Sequence, residues 1–210
     1  MKTHSILTII LVAIAICGLS QSSVAWRGDL KGNQTGGEEK LSLSQTEADT
    51  LNFMREEEKL ARDVYFVMFT YWSSKTFTNI AESEQTHMEA IKTLLDKYGL
   101  PDPADPEIGV FNNKELQELY DDLVAQGENA KLDALMVGAL IEEVDIEDLQ
   151  RAIDQTDKLD LERVYGNLMS GSENHLRAFV SQIELLSGEN YEAQHLPQEV
   201  VDEILTEDEE

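Results

Sequence analysis

Four stretches of this sequence could do chemistry. In "ESEQTHMEAI", residues 82–91, Glu84 stands three residues before His87. Residues three apart on a helix project side by side. Such a pair can offer a carboxylate oxygen and an imidazole nitrogen to one metal ion. Glu58 precedes Tyr65 by seven residues in "EKLARDVY", and "IEEVDIED" offers Glu142, Glu143 and Asp145. "GSENHLRAF" offers Ser172, Glu173 and His175. A mixed oxygen and nitrogen donor set of this kind suits iron or manganese, as a single ion or as a bridged pair.

The elements that must position these residues are legible as apolar stripes of helical period. Ser44-x-x-Glu47 is a capping-box signal for a first helix running to about Trp72, with stripe Leu51, Met54, Ala61, Tyr65, Met68 and Trp72. A second helix spans about Phe77–Tyr98, with stripe Phe77, Ile80, Ile91, Leu94 and Tyr98, and stops at Gly99 before Pro101. The proline-rich stretch "LPDPADPEIGVFNN" is a loop. A short helix over about 114–125 follows and is expected across the end of the bundle. The third long helix covers about 130–156, with stripe Leu132, Leu135, Ala139, Ile146, Leu149 and Ile153. The fourth covers about 159–186, with Asp157 as its cap and stripe Leu161, Val164, Leu168, Phe179, Ile183 and Leu186. No segment alternates with period two. The pattern predicts an all-α protein, an antiparallel four-helix bundle with a short extra helix in the middle connection.

Each long stripe has one gap near the middle of its helix, and each gap holds a metal-ligand type. Glu58 falls four after Met54. Glu84 falls four after Ile80, and His87 four before Ile91. Glu142 and Glu143 straddle the line from Ala139 to Ile146, so either is the inward carboxylate. His175 falls four before Phe179. Burying such groups costs free energy unless something satisfies them, which a metal would do. Ordinary readings stand beside this one. A lone histidine on an apolar face is usually a hydrogen-bonded core residue, "EEVDIED" suits a solvated acidic face, and Tyr65 suits core packing. His195 is expected in solvent.

Forty-two acidic residues oppose 16 basic ones, a formal net charge of −26. That argues against nucleic acid and anionic membrane surfaces as partners. Residues 1–25 read as a signal peptide: a basic start, an apolar run from Ile6 to Leu19, and Ser23-Val24-Ala25 before Trp26. A secreted or periplasmic protein, free of the membrane after cleavage, is therefore expected. Cys17, the one cysteine, leaves with that segment, which excludes disulfides and thiolate chemistry from the mature chain. Residues 26–44 form a polar lead-in, 45–188 the bundle, and 189–210 an acidic tail.

With these motifs in place, the chain resembles the ferritin-like superfamily, in its rubrerythrin-type branch. "EKLARDVY" looks like the first-helix motif and "IAESEQTHMEAIKTLL" like the second-helix Glu-x-x-His motif. With "GALIEEVDIEDLQRAI" and "GSENHLRAF", the chain looks most like a prokaryotic domain-of-unknown-function family placed in that superfamily. The resemblance covers about residues 47–186. It implies a di-iron or di-manganese carboxylate site and oxidoreductase chemistry on ferrous iron, peroxide or dioxygen, in a protein that is a possible homodimer. Carried over, the ligands are Glu58, Glu84, His87, one of Glu142 and Glu143, and His175. Tyr65 would hydrogen-bond a ligand carboxylate, and Asp145 is a further donor. The departure is in the fourth helix, where Ser172 stands in place of the glutamate three before the histidine. Glu173, two before His175, points some 200° away on a regular helix. A binding module without turnover, or a metal-free interaction bundle, is the alternative function.

Overall fold

Glu47 shows how local sequence starts the fold. In a computed structural model of the protein, which describes residues 42–206, Ser44 Oγ accepts the Glu47 N–H and the Glu47 carboxylate accepts the Ser44 N–H. This reciprocal cap satisfies two of the donors that every helix N-terminus leaves over. The other Glu47 oxygen accepts the Thr156 hydroxyl at 2.7 Å, which ties the start of one helix to the end of another.

The described residues form six helices: α1 Gln45–Trp72, α2 Lys75–Tyr98, α3 Lys114–Gly127, α4 Lys131–Asp154, α5 Leu159–Ser187 and α6 Gln198–Thr206. Among the described residues there is no strand, and no helix is long and apolar enough to cross a membrane. The helix ends obey simple chemistry. Gly99 and Gly188 take left-handed backbone at the stops of α2 and α5, where a side chain would be strained. The fourth long helix is not capped by Asp157: Lys158 holds that position, and the Thr156 hydroxyl accepts its N–H. The predicted signal peptide and most of the lead-in, with the last four residues, lie outside the described residues.

The packing divides the interior into two apolar clusters. One gathers Val64, Tyr65, Phe77, Ile80, Leu135, Leu176 and Phe179, among others. The second gathers Leu51, Met54, Ile91, Leu94, Leu149, Leu161, Tyr165 and Leu168. Each of α1, α2, α4 and α5 contributes to both, and its chemistry-bearing residues fall between its two contributions or beside them. α1 packs chiefly on α2, and α4 on α5.

Three features depart from the stripe reading. Leu186, near the end of α5, is half exposed. The short α3 lies on α1 and α4. The acidic tail supplies α6, which buries Val201 and Ile204. With α3 and the tail both covering it, α4 is buried around most of its circumference rather than along one stripe. The polar flank of α1 is covered as well. Arg55 forks onto Asp102, Glu56 accepts the Asn112 N–H, and the fully buried Lys59 donates to Asp63 and to the Glu107 and Val110 carbonyls. These side chains hold the proline-rich loop against α1.

Candidate metal centre

Glu84 projects from the middle of α2 into the layer between the two clusters and is almost wholly buried. Its two oxygens face two different histidines. Oε2 lies 2.8 Å from His87 Nδ1, one turn further along α2. Oε1 lies 2.8 Å from His175 Nδ1, on α5. The two imidazoles stack, with ring centroids 5.5 Å apart and planes at 27°. Glu58, from α1, puts Oε2 3.2 Å from His87 Nδ1. Glu142, from α4, puts Oε2 3.4 Å from His175 Nδ1. Two buried groups result, Glu58, Glu84 and His87 on one side and Glu84, Glu142 and His175 on the other. Within each, one donor atom per residue lies within 4.8 Å of the others.

Several groups around these donors fix their orientation. His175 Nε2 pairs with Ser83 Oγ at 2.9 Å, which leaves Nδ1 facing the carboxylates. Tyr65 donates its hydroxyl to Glu142 Oε1 at 2.5 Å. Burial and the neighbouring Glu142 charge push the Tyr65 phenol well above its ordinary range, so it stays protonated. Residue 171 on α5 must be small, because the His87 ring lies against its backbone.

The electrostatics are those of a charge excess. Burial would raise Glu84, but its bonds to His175 and His87 outweigh burial and hold it at about 2. Burial would depress both imidazoles, yet their carboxylates prevail. Glu58 and Glu84 raise His87 to about 11, and Glu142 with Glu84 raises His175 to about 10. Glu58 is raised well above the carboxylate range by burial and then by Asp145. Glu142 is raised by burial and then by Glu84.

The donor set suits a hard or borderline divalent cation: carboxylate oxygens and imidazole nitrogens, without thiolate. An unsatisfied atom points the same way. Glu58 Oε1 is buried without a hydrogen-bond partner. Such an atom is costly unless something fills the space it faces. Iron and manganese both fit this set.

The structure separates the remaining sequence candidates. Glu143 does not join the cluster, although it is as deeply buried as Glu142. Consecutive helical residues point about 100° apart, and Glu143 faces the tail. Its carboxylate accepts the Tyr191 hydroxyl at 2.5 Å and the backbone N–H groups of Gln194, His195 and Leu196. Glu173 lines a surface groove with Glu147, Arg151 and Glu203, which neither His87 nor His175 lines. Asp145 and Ser172 lie beside the cluster and hydrogen-bond each other at 2.6 Å. His195 is not in solvent: its Nε2 meets Glu147 at 2.8 Å, with the side chain largely covered. Ser83, Gly171 and Tyr191 escaped the sequence reading. Gly171, one turn before His175 inside a predicted helix, was the readable signal for a close approach.

A helical protein with a buried carboxylate and imidazole cluster is the class that fold and site define. The chain belongs to the family described as "Uncharacterized protein domain (DUF2202)", whose model matches residues 47–208. It is similar to "Uncharacterized protein MJ0754" of Methanocaldococcus jannaschii, with 50% identity over 168 residues, 80% of this chain and 90% of that protein. The crystal structure of hypothetical protein MJ0754 superposes with a TM-score of 0.78 at 48% identity, covering 83% of this chain and all of that one.

Proposed function

We propose that this protein is a ferritin-like metalloprotein that binds divalent cations, iron first and manganese as the alternative, inside an antiparallel bundle of α1, α2, α4 and α5. One observation carries the reading: the two oxygens of Glu84 each face a separate imidazole, the arrangement expected of a carboxylate shared between two cation positions. The order in which the helices visit the two clusters supports the bundle. α1 runs from the Leu51 cluster to the Tyr65 cluster and α2 runs back; α4 and α5 repeat the pattern in reverse.

Bound iron would supply one-electron chemistry toward dioxygen, peroxide or incoming ferrous ion. The chain's own residues do the rest. Glu58 and His87 would hold one ion, Glu142 and His175 another, and Glu84 would be available to both. Tyr65 keeps Glu142 oriented and keeps its own proton. The apolar clusters on either side restrict water. Residues 1–25 support an exported protein, so we place this chemistry outside the cytoplasm.

Elemental analysis of the purified protein, followed by ferrous or manganous titration of chelator-treated protein, tests the reading. Glu84→Gln is expected to lose most of the metal, whereas Glu173→Gln keeps it. A wild-type chain that binds neither cation would overturn the proposal. Ferrous-oxidation and peroxide-consumption assays on loaded protein then separate an enzyme from a storage module.

A further inference from the structure

Ser172 stands three residues before His175 on α5 and is fully buried. Its hydroxyl instead donates to Asp145 Oδ2 at 2.6 Å, with the Leu168 carbonyl a more distant acceptor at 3.1 Å. Asp145 comes from α4, three residues after Glu142, and so lies on the same side of that helix. It is 6% exposed, and its second oxygen, Oδ1, is buried with no hydrogen-bond partner. Glu58 Oε1 is in the same condition.

Asp145 is tied to the His175 side of the site from two helices. It stands three residues after Glu142 on α4 and is bonded to Ser172, three residues before His175 on α5. A buried carboxylate with one oxygen bonded and the other without a partner is poorly explained as packing.

Charge balance says what would compensate it. With neutral imidazoles, Glu58, Glu84 and Glu142 bring three negative charges. Two divalent cations would then leave one positive charge in a buried space, and a fourth carboxylate removes it. We propose that Asp145, oriented by Ser172, is a fourth carboxylate ligand of this centre and enables it to hold two divalent cations. The proposal rests on the metal reading above. It moves the missing α5 carboxylate to α4 and makes Ser172 the residue that positions it.

Manganous ion is the probe, because paired and isolated ions differ in electron paramagnetic resonance. Chelator-treated wild-type chain is expected to take up two ions and give the broadened signal of an exchange-coupled pair. Asp145→Asn, which keeps size and loses charge, is expected to take up one ion and show an isolated six-line signal. Asp145→Glu keeps the charge and is expected to retain two, which holds the test open should the asparagine variant not fold. Ser172→Ala is expected to weaken the second ion about 10- to 100-fold, the usual effect of removing a ligand's hydrogen-bond partner, and Ser172→Thr to restore it. Two ions bound with unchanged affinity by Asp145→Asn, or a single ion in the wild type, would sink the role of Asp145 and leave a metal protein. No manganese in the wild type would sink both.

Discussion

A Cβ placed on Gly171 would stand 2.6 Å from His87 Nε2 and 2.8 Å from its Cε1, closer than non-bonded atoms approach. The ring is thereby held between the α5 backbone on one side and Glu58 and Glu84 on the other. Glycine inside a helix costs about 1 kcal/mol relative to alanine, so its presence here needs such a reason. Gly171→Ala should gain helix propensity and displace the ring. The expected outcome is metal affinity reduced by about tenfold or more, as for loss of a ligand-orienting contact, with metal-free thermal stability changed little. Titration calorimetry beside a melting curve reads both, and unchanged affinity would show that the ring tolerates the shift. Sequence spacing indicated Glu58, Glu84, His87 and His175, because each interrupts an apolar stripe. It could not decide between Glu142 and Glu143, which straddle their stripe. That decision is tertiary: Tyr65 claims one carboxylate and the tail claims the other.

The tail's hold on α4 is the clearest relation between elements that local sequence could not reveal. Glu143 gathers one hydroxyl and three backbone N–H groups from residues 191–196, which lead into α6. Charge-assisted bonds of this kind are the strong ones, and without their acceptor each buried N–H would cost about 1–3 kcal/mol. Glu143→Ala should therefore release the 189–206 segment while leaving metal stoichiometry intact. Hydrogen exchange by mass spectrometry is expected to show lost protection in that segment alone. Protection that persists there would mean that α6 is held by Val201 and Ile204 rather than by the carboxylate. The same limit on sequence reading applies to α1. Its stripe and capping box were legible, but nothing in the local sequence marks Arg55, Glu56, Lys59 and Asp63 as buried. They are buried because a loop some fifty residues away folds over them.

Across the whole molecule, two apolar clusters enclose a layer that carries more negative than positive groups. The metal-free fold meets this by keeping protons on His87 and His175, whose pKa values rise to about 11 and about 10. A raised imidazole pKa stabilises the fold fully below the unfolded value near 6.5, and that stabilisation is lost as pH rises toward the folded value. A bound cation needs the imidazoles neutral, so protons compete with it. Both effects have the same sign: from pH 6 to pH 8 the metal-free fold loses support while the cation binds more tightly. Cation at a hundredfold over its dissociation constant adds about 2.7 kcal/mol. The melting temperature of manganese-loaded protein should exceed that of chelator-treated protein, with the gap wider at pH 8 than at pH 6. Scanning calorimetry at both pH values reads the gap directly. A gap that is absent, or that narrows as pH rises, would mean that the buried layer is a proton-bridged network complete in itself rather than a site shaped for cations.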